Sequence, residues 1–318
     1  MTDRVTTEGI SHAYHVIDPV FVDSPQYACE PLSHKLGMTV VLKVECLNPI
    51  RSFKGRGADY LLHQLGHHAS GYVCASAGNF GQGMAYAARK RRSPITVFAA
   101  TDANPLKVER MRALGATVVL HSDYDGAKQA AREHADKTGA MFVEDGALAS
   151  IAEGAGTIAL ELTGMPERID VVLVPVGDGA LITGIGTWMR EKQAGTMIIG
   201  VVAEGAPAME MSRRAGRAVA TERTDTIADG IAVRSPIASA VEEMARVVDD
   251  IVHVGDDEIL AAMKVLMSEA GLVVEPAGAA GLAAASKLRA QLNGRRVAVI
   301  ITGGNITDEQ IRRWLVPG

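Results

Sequence analysis

The sequence predicts an open α/β fold built on mostly parallel sheets, and three observations carry that prediction. Short apolar runs alternate with helix-length amphipathic segments along the 318 residues. The run at 171–176, Val-Val-Leu-Val-Pro-Val, is apolar at consecutive positions, as in a strand covered on both faces. Glycine-rich turns follow several of these runs and open the next helix, which is where parallel sheets bind ligands.

After an opening arm, Val20-Phe21-Val22 leads to Ser24-Pro25 and a short helix that ends at Leu36-Gly37. Residues 40–45 read as a buried strand, Asn48-Pro49 as a turn, and Gly55 onward as a helix with Ala58, Tyr60, Leu61, Leu62 and Leu65 on its apolar stripe. A strand at 72–75 runs into Ser76-Ala77-Gly78-Asn79-Phe80 and a helix ending near Arg92. The strand at 95–100 precedes a helix capped by Asn104 with Pro105 in its first turn and closed at Gly115. A strand at 117–120, a helix at 125–138, a strand at 140–143 and a long helix through 158–162 lead to 171–176. Strands at 197–203, 251–254 and 297–301 follow, with helices between them; alanine-rich 277–285 reads as a packed helix.

A hydrophobic content of 47% with 22% charged residues is enough for one large core or two smaller ones, and two lobes are expected. No apolar run approaches the roughly 18 residues of a membrane span. Residues 1–9 lack the apolar stretch of a secretory signal, so a cytoplasmic protein is expected. Cys29, Cys46 and Cys74 are odd in number and not in metal-ligand spacing, which predicts free thiols in a reducing compartment. The His67-His68 pair reads as a solvated helix end rather than a metal site. A net charge of -5 argues against general nucleic-acid binding. The one basic run, Arg89-Lys90-Arg91-Arg92, closes a helix whose dipole it complements.

The chemistry centres on Arg51-Ser52-Phe53-Lys54-Gly55-Arg56-Gly57. Lys54 lies where a strand and turn feed a helix, and a lysine held against apolar surface loses charge readily and becomes an amine nucleophile. Gly177-Asp178-Gly179-Ala180-Leu181 opens a helix after a buried strand, so its amides can cradle a phosphate. Gly177, Gly179 and Gly184 lack G-x-G-x-x-G spacing, which weighs against a nicotinamide dinucleotide. Gly78-Asn79 opens a helix with bare amides suited to a carboxylate, and Thr302-Gly303-Gly304-Asn305 offers a hydroxyl and room for a flat ligand. Together these features fit a phosphorylated aldehyde bound as a Schiff base.

From about residue 20 to its end the chain resembles the fold-type II pyridoxal-phosphate enzymes, specifically the serine/threonine dehydratase group. The motifs are Ser52-Phe53-Lys54-Gly55-Arg56-Gly57-Ala58, Ser76-Ala77-Gly78-Asn79, Gly154-Ala155-Gly156-Thr157, the loop at Gly177, Thr226-Ile227-Ala228-Asp229-Gly230, Glu275-Pro276-Ala277-Gly278-Ala279 and Thr302-Gly303-Gly304-Asn305, in family order. The resemblance implies a two-lobed, tryptophan-synthase-β-like fold. Residues 1–66 and 147–318 would form a large cofactor-binding lobe and residues 67–146 a small mobile lobe. It implies pyridoxal 5′-phosphate on Lys54, with Phe53 on the ring, Asn79 on its hydroxyl, Gly177, Asp178, Gly179, Ala180 and Leu181 on the phosphate, Thr302 at the ring nitrogen and Glu275 in the cofactor set. The substrate carboxylate would rest on Ser76, Ala77, Gly78, Asn79 and Phe80.

The implied reaction is an α,β-elimination: Lys54 takes the α-proton, the β-hydroxyl leaves, and the enamine hydrolyses to a 2-oxo acid and ammonia. A neutral hydroxyl at the ring nitrogen favours elimination over transamination. A homodimer is expected, without the regulatory C-terminal domain of biosynthetic threonine dehydratases. Glu204, Ala208 and Glu210 match the spacing of a Mg or Ca site in some serine racemases and dehydratases.

Four positions depart from the pattern. Ala77 stands where serine racemases carry a second catalytic serine, so racemisation should be negligible, and Phe80 stands where many members have histidine. Asp178 and Arg51 each replace a glycine. Three readings of Arg51 stay open: an ion pair with Asp178, a solvent-facing turn residue, or a receptor for an acidic substrate side chain. Three alternatives to a simple serine or threonine dehydratase also stand. They are a β-replacement synthase, although the valine that precedes the lysine in cysteine synthases is absent; a dehydratase of an acidic or larger 3-hydroxy amino acid; and a non-catalytic small-ligand-binding α/β protein.

Overall fold

The computed structural model describes residues 4–316. Its strands are β1 (Gln26–Ala28), β2 (Thr39–Val44), β3 (Tyr72–Ala75), β4 (Ile95–Ala100), β5 (Thr117–His121), β6 (Met141–Val143), β7 (Val171–Pro175), β8 (Met197–Ala203), β9 (Asp250–Val254) and β10 (Arg296–Ile301). Its helices are α1 (Thr7–Val16), α2 (Glu30–Leu36), α3 (Lys54–Leu65), α4 (Asn79–Lys90), α5 (Pro105–Ala113), α6 (Tyr124–Thr138), α7 (Ala149–Thr163), α8 (Ala180–Lys192), α9 (Ala208–Ala215), α10 (Ala238–Val247), α11 (Asp256–Ala270), α12 (Pro276–Lys287) and α13 (Asp308–Trp314).

The strands form two sheets. The larger has the order β1-β2-β10-β7-β8-β9, parallel except for β1, and the smaller has the order β5-β4-β3-β6, wholly parallel. One apolar layer lies between the larger sheet and α7 and α8, a second between that sheet and α11 and α12. Burial on both faces explains why β7 reads as an unbroken apolar run.

Among the elements that escaped the sequence reading are α1, β1 and α13, the last too short at seven residues for a periodic signal. The opening arm contains α1, whose cap is the Thr6 hydroxyl accepting from the Gly9 amide at 3.0 Å. The β1 strand has only three residues and pairs antiparallel at the sheet edge, too short for a periodic signal. The Asn104 cap was read correctly; its side chain accepts from the Leu106 amide at 3.0 Å. All three cysteines are free and buried. The basic run does more than complement a helix dipole, because Arg91 pairs with buried Asp59 and Lys90 lies 2.9 Å from Asp18. Among the described residues no helix is long and apolar enough to cross a membrane.

Candidate active site

Lys54 is positioned by a hydrogen-bonded reversal between β2 and α3. The Asn48 side chain accepts from the amides of Ile50 and Ser52 and donates to the carbonyls of Glu45 and Ser52. The following segment is zipped to the end of β10. Ser52 bridges Gly303, the Phe53 amide donates to the Thr302 carbonyl at 3.1 Å, and the Gly304 amide donates to the Arg51 carbonyl at 2.9 Å. Lysine and threonine hydroxyl are thereby brought to one cavity, whose wall also includes Phe53, Gly177, Asp178, Gly179 and Gly230.

The far wall is the start of α8. Its cap, Gly179, has φ +99°, a conformation side chains rarely adopt, and Gly179, Leu181 and Ile182 line the cavity. The Ala180 amide donates to Asp178 Oδ1 at 2.9 Å, while the Leu181 and Ile182 amides belong to the turn that has no intrahelical acceptor. A lysine, open helix-start amides and a hydroxyl around one cavity fit a phosphorylated aldehyde.

The sequence expectation of an easily neutralised Lys54 is corrected. Its side chain is 10% exposed, but Nζ lies 2.8 Å from Asp145 Oδ2 and also pairs with Asp178 Oδ2. Burial alone would lower its pKa; the two carboxylates outweigh burial and hold it charged, well above the ordinary lysine range. Burial, then Asp178, pushes Asp145 up to about 7. Asp178 remains below the usual carboxylate range, because the Lys54 ammonium outweighs its burial. Phe53 and Phe80 flank the ammonium, with ring centroids 5.2 and 5.9 Å from Nζ.

The loop before α4 is less bare than its sequence implied. The Ser76 hydroxyl accepts from the Gly78 and Gly81 amides at 3.3 and 3.0 Å, leaving the first-turn amides of Asn79 and Phe80 as the open donors. Asn79 donates to Glu275 Oε1 at 2.6 Å and accepts from Asn305 at 2.7 Å. Behind Glu275 lies Lys107, 1% exposed, which is 3.1 Å from Glu275 and 2.7 Å from Asp229. Asp145 and Lys107 were missed by sequence reasoning. The only available signal for Asp145 was its place in a turn after a strand, and Lys107 looked like any charge on a short helix.

Arg51 is placed elsewhere. It is exposed, has φ +51° and lines a separate cavity of about 820 Å³ with Arg110, Glu109 and Asp308. Its proposed pairing with Asp178 is therefore corrected: the tight turn sends the guanidinium outward, and the Asp178 carboxylate is taken by Lys54. At the expected cation site, Glu204 lies 3.4 Å from Lys287, and Glu210 lies 3.6 Å from Arg214 and 3.8 Å from His253. Among the described residues no three His, Cys, Asp or Glu side chains gather as a metal site.

Residues 17–303 match the family described as pyridoxal-phosphate dependent enzyme. The chain is 37% identical over 317 residues to the L-threonine ammonia-lyase of Thermotoga maritima, covering 99% of this chain and 79% of that one. It is 32% identical to the biosynthetic L-threonine dehydratase of Lactococcus lactis, with coverage of 95% and 75%. Of solved structures, maize serine racemase superposes with a TM-score of 0.92 at 26% identity, over 97% of this chain and 96% of that one. The processed form of threonine deaminase isoform 2 from Solanum lycopersicum gives 0.89 at 29% identity, over 98% and 94%. The fold is the tryptophan-synthase-β-like architecture that the motifs implied. Because the match runs from the residue after α1 through Gly303, it takes in Lys54, the loop at 177–181 and Thr302 together, and the chain belongs to the pyridoxal-phosphate dependent enzyme family.

Proposed function

We propose that the protein is an ammonia-lyase that converts a 3-hydroxy amino acid, such as L-threonine or L-serine, to the 2-oxo acid and ammonia. The observation that carries this reading is the convergence of the Lys54 amine, the Thr302 hydroxyl and the α8 start on one cavity. Pyridoxal phosphate, when bound, supplies an electron sink for the pair left at Cα. The chain's own residues do the rest. Lys54 would hold the cofactor and later take the α-proton, the Asn79 and Phe80 amides would receive the substrate carboxylate, and Thr302 would leave the ring nitrogen unprotonated. Residues 67–146, which carry the smaller sheet, would close over the substrate and exclude water. A cytoplasmic homodimer completes the reading.

The test is an ammonia-release screen over L- and D-serine, threonine, and acidic or larger 3-hydroxy amino acids. The expected result is ammonia with an equimolar 2-oxo acid, without inversion at Cα, since Ala77 has no hydroxyl to reprotonate the second face. Product formed only with an added thiol would point to β-replacement instead. Arg51→Gly is expected to leave the preference between threonine and 3-hydroxyaspartate within about twofold, because Arg51 lines a different cavity from Lys54. A roughly tenfold reversal would place Arg51 at the substrate. The Mg or Ca part of the reading stands on the Ala208 carbonyl and on Glu204 and Glu210, whose carboxylates already have protein cations beside them. Chelation is expected to leave the melting temperature unchanged, and a fall of several degrees would restore the metal.

A further inference from the structure

Elimination of a hydroxyl poses a problem that Lys54 alone does not solve. Water has a pKa of about 15.7, so a β-hydroxyl leaves at a useful rate only if it is protonated as the C–O bond breaks. Asp145 is placed to meet that need. It is 2.8 Å from Lys54 Nζ through Oδ2, and its Oδ1 is buried without a hydrogen-bond partner. The β-carbon is one bond from the Cα whose proton Lys54 takes, and the Asp145 side chain that touches Nζ is partly open, at 21% exposure.

We propose that Asp145 is the proton donor to the departing β-oxygen and that Lys54 restores its proton, an inference that rests on the ammonia-lyase reading. The step balances. The step starts once the proton shared across the Lys54–Asp145 contact lies on Asp145 and the Lys54 amine is neutral; Lys54 then takes the Cα proton, the Cα–H pair becomes the Cα=Cβ double bond, and the C–O pair leaves with oxygen. That oxygen takes the Asp145 proton and departs as water. The proton now on Lys54 passes across the 2.8 Å contact to Asp145, and both side chains return to their starting state.

Asp178 is a positioning residue in this scheme. Its Oδ1 is fixed by the Ala180 amide, and its other oxygen pairs with Lys54. Its charge beside Asp145 favours a proton on Asp145, which burial also favours. Gly146, with φ +78°, makes room for the pair, because a Cβ there would lie 2.8 Å from the Asp178 Cβ. The groups facing Asp145 are Lys54 from α3, Asp178 from the loop before α8, Tyr124 from α6 and Cys74 from β3, with Glu144 adjacent in sequence. Burial pushes the Tyr124 hydroxyl and the Cys74 thiol up, so both stay neutral, and Glu144 is paired with Lys128 and Arg132. Burial, Asp178 and Lys54 therefore set the proton affinity of Asp145.

A leaving-group comparison on the cofactor-loaded enzyme tests this. Chloride needs no proton to leave, so Asp145→Asn is expected to lower kcat for L-serine and L-threonine on the order of 100-fold or more, and for β-chloro-L-alanine by less than about fivefold. Wild-type kcat for the hydroxy substrates should fall as the pH rises above about 7, because the donor is then deprotonated, with no such limb for β-chloro-L-alanine. Independently of turnover, side-chain ¹³C NMR of aspartate should show Asp145 titrating near 7 and moving downward in Asp178→Asn. Equal loss on both leaving groups, or titration in the ordinary carboxylate range, would overturn the assignment. A wild type that releases ammonia from neither class would remove the lyase reading and this proposal with it.

Discussion

Lys54→Ala is expected to lose the cofactor's visible absorbance, which borohydride bleaches, and to lower turnover on the order of 10⁴-fold or more. The size follows from one side chain holding two roles, nucleophile and base, with no substitute nearby. The other buried lysines are committed elsewhere. Lys43 pairs with Glu161 and donates to the Ser24 carbonyl, and Lys107 is held by Asp229 and Glu275. The loss must be separated from misfolding, since removing the ammonium leaves Asp145 and Asp178 facing each other. Lys54→Arg makes that separation, because a guanidinium keeps the charge and cannot form a Schiff base at neutral pH. It is expected to melt near the wild type and to be equally inactive. In Lys54→Ala the two carboxylates lack their cation, so Asp145, already raised by burial, rises further and Asp178 loses the partner that held it low against its burial. The folded state then binds the extra proton, and stability should increase as the pH falls from 7 toward 4. An intact chromophore with normal turnover in either variant would falsify the assignment of Lys54.

The difference between what the sequence showed and what it hid follows the range of the interactions. The strand and helix pattern was legible because burial repeats with a fixed period, and caps such as Asn104 act over two residues. The cavity was legible in parts, since its glycine turns follow strands directly. Its electrostatics were not. The contacts of Lys54 to Asp145 and Asp178 span 91 and 124 positions, and no local pattern ties such partners together. Asp178 could be recognised as a departure, and its cation was supplied only when β7 came to rest two strands from β2. Of the three readings of Arg51 the solvent-facing turn holds, and the pairing with Asp178 fails for the complementary reason. Three positions before Lys54 looked near, but a turn with positive φ sends its side chain into a different cavity.

The same rule explains Arg56, which the motif supplied without a reason and which carries the largest expected effect on stability. Arg56 is fully buried beneath the first turn of α3. Its Nε and Nη2 donate to the two Glu45 oxygens at 2.8 and 2.9 Å, its Nη1 donates to Thr157 at 2.9 Å, and it also pairs with Glu161. Lys43 shares Glu161, so two cations and two carboxylates balance inside the core. Glu161→Gln keeps the shape and removes one negative charge, leaving Lys43 and Arg56 against Glu45 alone. An uncompensated buried charge costs about 3–5 kcal/mol, which for a protein of this size lowers the melting temperature by roughly 5–7 °C. Burial alone would raise the Glu161 pKa; Arg56 and Lys43 outweigh it and hold it below the ordinary 4.5. A depressed carboxylate stabilises the fold above its unfolded value, and that contribution fades as the pH falls through the folded value. The gap between wild type and Glu161→Gln should therefore be full at neutral pH and close in acid. Replacing both members of one pair, Lys43→Met with Glu161→Leu, should recover much of the loss, because no charge is then left unpaired and apolar groups fill the volume. A double variant no more stable than Glu161→Gln would show that geometry rather than charge balance fixes α3, and with it the first-turn position of Lys54.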